Sequence, residues 1–218
     1  AAVTQAEIRK RGGDSEILEA DIRDAGQVAA AVAECRKRFG RVDILVNNVA
    51  VGAVGSVVDT SPEDWDRVIA VNLRGAYLAC KYTVPTMIEQ AYGRIVNISS
   101  LAAYGYTGKP LAAYGASKAG LHGLSRDLAV HFGACGIRAN TIVIGLIDTP
   151  MIRRYATAIR ADQSVEDMMR SRDAQVPTGR QGSAWDVANV VCFAASDLAQ
   201  FINGAEIVVD GGSSAKSS

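Results

Sequence analysis

Tyr114 and Lys118 stand four positions apart in LAAYGASKAGLHGLSRDLAV (residues 111–130), at the head of a stretch with helical spacing. On a helix, side chains at i and i+4 share a face, with Cβ atoms about 5–6 Å apart. A free phenol has a pKa of about 10 and is a poor proton shuttle at neutral pH. A neighbouring ammonium stabilises the phenolate and lowers that value. A phenol tuned in this way can protonate a carbonyl oxygen as hydride arrives, or accept a hydroxyl proton in the reverse direction. The same two residues also suit an ordinary helix surface, so their neighbours have to decide.

The run GRIVNISS at 93–100 reads as a strand ending in Ser99-Ser100, and a loop from it leads into the Tyr114 helix. In open α/β sheets, ligands bind outside the carboxyl ends of the strands. A serine at that end could reach the same carbonyl oxygen as Tyr114. Ser99 and Ser100 could equally just terminate the strand, and for Ser99 that plainer reading is preferred. Asn72 lies inside a helical pattern, IAVNLRGAYL, where asparagine competes with its own backbone. It either hydrogen-bonds a neighbouring turn or distorts the helix to hold a water.

The elements that must position these residues follow from apolar spacing. Strand-like runs occur at 16–18 (EIL), 42–48 (VDILVNN), 93–100, 137–145 (IRANTIVIG) and 205–212 (AEIVVDGG). Several are continuous rather than alternating, as expected of strands covered on both faces. Between Asp24 and Gly40, Val28, Val32, Cys35 and Phe39 make a helical stripe. Ser61-Pro62 opens another helix, with Trp65, Val68, Ile69, Leu73 and Tyr77 as its buried stripe. Strands alternating with helices predict an α/β fold, a Rossmann-like doubly wound parallel sheet with helices on both faces. A strand, glycine-rich turn and helix of the kind that holds a pyrophosphate is not found.

The 218 residues, 49% hydrophobic and 21% charged, suit one domain over 1–218. Basic and acidic residues balance at 23 each, so neither nucleic acid nor a membrane surface is expected as a partner. Cys35, Cys80, Cys135 and Cys192 are scattered without a CxxC spacing, which reads as free thiols in a reducing compartment. With only His122 and His131, no histidine-based metal site is expected. No long apolar run or signal-peptide pattern occurs, and a cytoplasmic location is expected.

Taken in order, LVNN at 45–48, Asn72 in VNLRGAYL, IVNISS at 95–100, YGASK at 114–118, GLIDT at 145–149 and INGAEIVVDGG at 202–212 resemble the short-chain dehydrogenase/reductase family. The likeness runs from about Glu19 to Gly212 and points to its 3-oxoacyl-reductase-like and alcohol-dehydrogenase-like members. It implies an NAD- or NADP-dependent enzyme interconverting a small secondary alcohol and a ketone. It implies that Tyr114 is the general acid/base, that Lys118 lowers its pKa and binds the nicotinamide ribose, and that Ser100 orients the substrate carbonyl. Asn72 then holds a water that links Lys118 to solvent. Asp21 and Ile22 match the adenine contact, Asn48 the adenosine ribose, and Ile147 and Thr149 the nicotinamide carboxamide. The helices of 62–90 and of Tyr114 match a dimer interface, and the last strand a second one, giving a homodimer or homotetramer. Residues 150–180, with Arg153, Arg154 and Tyr155, read as a helical substrate lid whose charges are ordinary solvated surface.

Several positions depart from the family. Val49-Ala50 stands where the family has Ala-Gly, and Ile144 precedes Gly145 where a proline is usual. Ser100 precedes Tyr114 by one position more than expected, an insertion assigned to the 104–110 loop, which leaves Ser99 and Ser100 both open as the site serine. Two further readings stay in view: a non-catalytic relative that binds nucleotide or a partner, and an epimerase or dehydratase on the same fold. The implied strand order is 3-2-1-4-5-6-7 with EIL as strand 3, so a strand–helix–strand unit of about 35–45 residues is expected ahead of this sequence. Without it a gap of roughly 14 Å would open in the sheet. The 218-residue chain is therefore expected to bind NAD(H) and NADP(H) weakly, and isothermal titration with tight binding would refute this.

Overall fold

The computed structural model describes residues 1–105, 107–150, 152–153 and 164–216. From the N-terminus the chain forms α1 (Ala2–Lys10), α2 (Ala25–Phe39), β1 (Ile44–Asn47) and α3 (Pro62–Ile69). A π-helical turn (Ala70–Arg74) joins α3 to α4 (Gly75–Glu89), followed by β2 (Gly93–Ser100), α5 (Ala112–Phe132) and β3 (Ile137–Ile144). Then come β4 (Ile147–Asp148), α6 (Val165–Asp173), β5 (Gly182–Ser183), α7 (Ala184–Ala195) and β6 (Glu206–Val209).

Strands β1, β2, β3 and β6 pair in that spatial order, all parallel, and β4 and β5 make a short separate ladder. This is the predicted α/β architecture. Ile95 and Ala139 turn to one face, where Val84 and Met87 of α4 and Leu128 of α5 close over them. Val96, Ile98 and Ile142 turn to the other, against Ala194 and Ala195 of α7. Successive strand residues point to opposite faces, so burying both faces demands apolar residues at nearly every position. Each fully buried aliphatic side chain contributes about 1.5–3 kcal/mol relative to exposure.

The helix signals held. Asp24 caps α2 by accepting from Gln27 N–H at 2.9 Å, and Gly40 ends it in the left-handed region at φ 80°. Ser61 accepts from Asp64 N–H at 3.1 Å, with Pro62 at the first helical position. Such caps are worth about 1 kcal/mol each.

Four expectations need correcting. Glu16–Leu18 is not a strand, because no ladder partner reaches it among the described residues, and Ile17 and Leu18 stay exposed. β1 is likewise paired on one side only, leaving Ile44 and Val46 exposed rather than buried. In the α2 stripe only Val28 is fully buried, because α2 rests on Leu78 and Ala79 of α4 instead of on the sheet. Trp65 and Tyr77 also remain exposed, while Val68 from the same stripe is fully buried. No helix among the described residues is long and apolar enough to cross a membrane. All four cysteines are free.

Gly136 turns the chain from α5 into β3 at φ 79°, and a Cβ there would sit 2.3 Å from the Ala91 carbonyl oxygen. That neighbour is backbone and cannot swing aside. Gly136→Ala is expected to destabilise the protein by about 2–4 kcal/mol, read as a lower urea midpoint at unchanged slope.

Candidate active site

Strand β2 delivers its last three residues to three different tasks. The Ile98 carbonyl accepts from Lys118 Nζ at 2.7 Å. Ser99 turns inward under α5, completely buried, where its hydroxyl lies 3.1 Å from the Lys118 carbonyl oxygen and 2.7 Å from His122 Nε2. Ser100 opens outward, accepts from Ala102 N–H at 3.2 Å and stands near enough to the Tyr114 hydroxyl to lower its pKa. The alternation of a strand thus separates the two serines that sequence left open. Ser100 meets the phenol, and Ser99 is spent in the core.

Helix α5 brings Tyr114, Ser117 and Lys118 to that strand end. Its first turn sits so close to the Leu101–Ala103 turn that a Cβ on Gly115 would lie 2.8 Å from the Ala102 carbonyl oxygen. Lys118 is 2% exposed, and its ammonium stands 5.7 Å from the Tyr114 ring centroid. Burial lowers the Lys118 pKa to about 8. Burial also pushes the Tyr114 phenol above its ordinary value, while the Ser100 hydrogen bond acts the other way. The sequence-based expectation was a phenol lowered by Lys118. In the structure desolvation dominates, because the ammonium is turned onto the Ile98 carbonyl and lies beside the ring face.

Asn72 occupies the π-helical turn, so the helix is distorted there and a neighbouring segment is bonded as well. Its Oδ1 accepts from Val51 N–H at 2.8 Å, and its Nδ2 donates to the Val51 carbonyl at 2.9 Å and to Ser117 Oγ at 3.0 Å. Ser117 in turn donates to the Tyr114 carbonyl at 2.7 Å. Both amide protons of Asn72 are committed, which leaves the second lone pair of Oδ1 for any water.

The residues matched to cofactor contacts lie along the same edge. Asn48 is exposed at the end of β1. Among the described non-glycine residues only Ala91 has a positive φ, so Val49-Ala50 replaces the family's Ala-Gly without left-handed strain. The Asp21 carboxylate is taken by the Arg23 N–H at 2.9 Å and its guanidinium at 2.6 Å, which holds its pKa at about 2. Ile22 packs its side chain under α4 with Val28 and Leu78, against Gly75. Ile147 is buried and pairs with Gly182, and Thr149 accepts from Arg153 N–H at 3.1 Å. Neither Asp21 nor Ile22 makes a polar side-chain contact with the Tyr114 cluster.

Of the expected lid over 150–180, residues 151 and 154–163, with Arg154 and Tyr155, lie outside the described residues. Arg153 is ion-paired with Asp148 at 2.6 Å. Sequence reading missed Ser117 and weighed His122 only as a metal ligand. Ser117 falls three residues after Tyr114 and His122 four after Lys118, so helical spacing offered a signal. Nothing in the sequence paired His122 with Ser99.

A sequence profile described as enoyl-(acyl carrier protein) reductase matches residues 2–214. The 2-(R)-hydroxypropyl-CoM dehydrogenase of Xanthobacter autotrophicus is 38% identical over 199 residues, 89% of this chain and 76% of its own. A Burkholderia xenovorans structure described as a short-chain dehydrogenase/reductase superposes with a TM-score of 0.94 at 39% identity, over 99% of this chain and 81% of that one. A gluconate 5-dehydrogenase from Burkholderia cenocepacia, solved with NADP and tartrate, gives 0.86 at 28% identity, over 100% of this chain and 82% of that one. With a likeness of this extent added to the parallel sheet and the strand-end cluster on α5, the chain belongs to the short-chain dehydrogenase/reductase family of oxidoreductases.

Proposed function

We propose that the protein interconverts a secondary alcohol and a ketone with NAD or NADP, and that Tyr114 moves the proton. The observation that carries this reading is one phenol beside the Ser100 hydroxyl and flanked by the buried Lys118 ammonium, at the carboxyl end of the sheet. The hydroxypropyl substrate named for the Xanthobacter relative and the NADP held by the gluconate 5-dehydrogenase support it.

An ammonium has three protons to donate, and the Ile98 carbonyl takes one. The other two find no acceptor among the described residues, in a nearly dry position. Such donors fit the ribose hydroxyls of a nicotinamide nucleotide, with Asn48, Ile147, Thr149 and the backbone at Asp21 and Ile22 along the same edge. When bound, the nicotinamide supplies or takes the hydride.

In the reducing direction the Tyr114 and Ser100 hydroxyls both donate to the carbonyl oxygen. Tyr114 releases its proton as negative charge gathers there, and Ser100 remains as a donor to the developing oxyanion. The Lys118 cation favours the phenolate left behind. In the oxidising direction the phenolate accepts the alcohol proton. Asn72 holds the loop after β1 against α5 and offers Oδ1 to a water that returns protons from solvent. Residues 150–180 serve as the lid. Exposed small residues Ala116, Ala119 and Gly123 on the outer side of α5 suit close helix contact in a homodimer or homotetramer.

Absorbance of the reduced nicotinamide across alcohol and ketone panels is expected to reveal turnover. Tyr114→Phe should lower kcat about 10³-fold while nucleotide affinity stays within about twofold, and full activity of that variant overturns the proposal. Ser100→Ala should cost about 10²-fold in kcat. The raised phenol keeps the donor form at neutral pH, so ketone reduction should be level through neutrality. It should fall above about 8, where Lys118 loses its charge, and alcohol oxidation should rise with pH only up to that point, since its phenolate base draws on the same charge.

A further inference from the structure

Behind the proton-transfer cluster lies a second buried group that no step above uses. His122, one turn beyond Lys118 on α5, is 6% exposed and is held from every side. From β2, Ser99 Oγ stands 2.7 Å from Nε2. From β6, Glu206 Oε2 stands 2.9 Å from Nδ1. From the turn after β2, Tyr104 sets its ring edge-on at 5.5 Å between centroids and donates its hydroxyl to Glu206 Oε2 at 2.9 Å. On α5 itself, Arg126 takes the other Glu206 oxygen at 2.6 Å.

The hydrogens of this cluster follow by elimination. A carboxylate only accepts, so Nδ1 must carry a proton toward Glu206. The Ser99 hydroxyl has one proton and two acceptors within reach, His122 Nε2 and the Lys118 carbonyl. With neutral His122, Nε2 is an acceptor and takes the serine proton. With protonated His122, Nε2 becomes a donor, and the Ser99 proton must turn to the Lys118 carbonyl. Burial and Arg126 hold His122 below its ordinary pKa against the opposing pull of Glu206, which makes the neutral form the resident one at neutral pH.

We infer that His122 is a positioning residue: in its neutral form it holds Ser99, and through Ser99 it places the Ile98 carbonyl that binds Lys118 and the Ser100 hydroxyl that meets Tyr114. The inference rests on the proton-transfer reading of that site. Protonation reverses the His122–Ser99 hydrogen bond and sets a second positive charge one turn from the Lys118 ammonium. Turnover is then lost on the acid side in step with His122.

The test pairs a spectroscopic readout with a kinetic one. Ring-nitrogen NMR of histidine-labelled protein, with His131→Gln used to assign the exposed histidine, should show His122 as the Nδ1–H tautomer at mildly alkaline pH. It should titrate below the ordinary 6.5. Wild-type kcat should fall along that same titration. His122→Gln keeps a polar group within reach of Ser99 but cannot titrate, so it should abolish the acid limb with KM within about twofold and kcat within about tenfold, the rate equivalent of one net hydrogen bond. Glu206→Gln should lower the His122 midpoint and carry the acid limb with it. An Nε2–H tautomer, or an acid limb that survives in His122→Gln, overturns the inference alone. A wild-type protein that transfers no hydride to any substrate overturns the proton-transfer reading, and this inference with it.

Discussion

A buried ammonium is the constraint around which the rest of this molecule is arranged. Taking a cation out of water is costly unless acceptors replace its hydration, and with one carbonyl at Lys118 Nζ among the described residues burial lowers its pKa to about 8. One backbone carbonyl and the face of one phenol are what the fold offers it. Both come from elements that must be held to within about 0.5 Å of the working geometry: the end of β2 and the first turns of α5. A cation left short of acceptors is poorly placed for stability and well placed for a ligand rich in hydroxyls.

Holding α5 on the sheet is therefore as important as the reacting groups. Apolar packing supplies most of the adhesion, through Leu128 and Ala129 against Ile95, Ile137 and Ala139. Non-directional burial does not by itself fix the helix along its axis. Polar pins do. Ser125 accepts from both Asn97 at 2.7 Å and Thr141 at 2.8 Å, tying the middle of α5 to β2 and β3. Asn72 and Ser117 tie its first turns to the loop after β1, and Ser99 with His122 ties the turn between. Every one of these groups is buried and partnered, as low-dielectric polar networks must be if they are to specify a geometry rather than weaken it.

The two open edges of the described structure share one cause. Backbone groups of a strand seek a ladder, and Glu16–Leu18 and the outer side of β1 have none among the described residues. Sequence pattern cannot register this, because Ile17, Leu18, Ile44 and Val46 have the composition of buried strand residues whether or not a neighbour is present. The same blindness affected the α2 stripe. Its spacing correctly marked a helix, but the surface it meets is another helix, where Val28 and Ala25 pack against Leu78 and Ala79.

Sequence alone determined the element types, the parallel α/β class and the shared helix face of Tyr114 and Lys118, because local spacing is a property of the chain, while Asn72 and a strand-end serine joined them only through the family resemblance. It left open which serine faces the phenol. Tertiary structure decided that, since the answer depends on which face of β2 lies under α5. It decided the direction of the Tyr114 shift, because desolvation is a property of surroundings and not of a neighbour four residues away. It also joined Ser99, His122 and Glu206, three residues from β2, α5 and β6 separated by 23 and 84 positions. No spacing rule spans such intervals. Only the packing of a helix across a parallel sheet brings them within hydrogen-bonding distance.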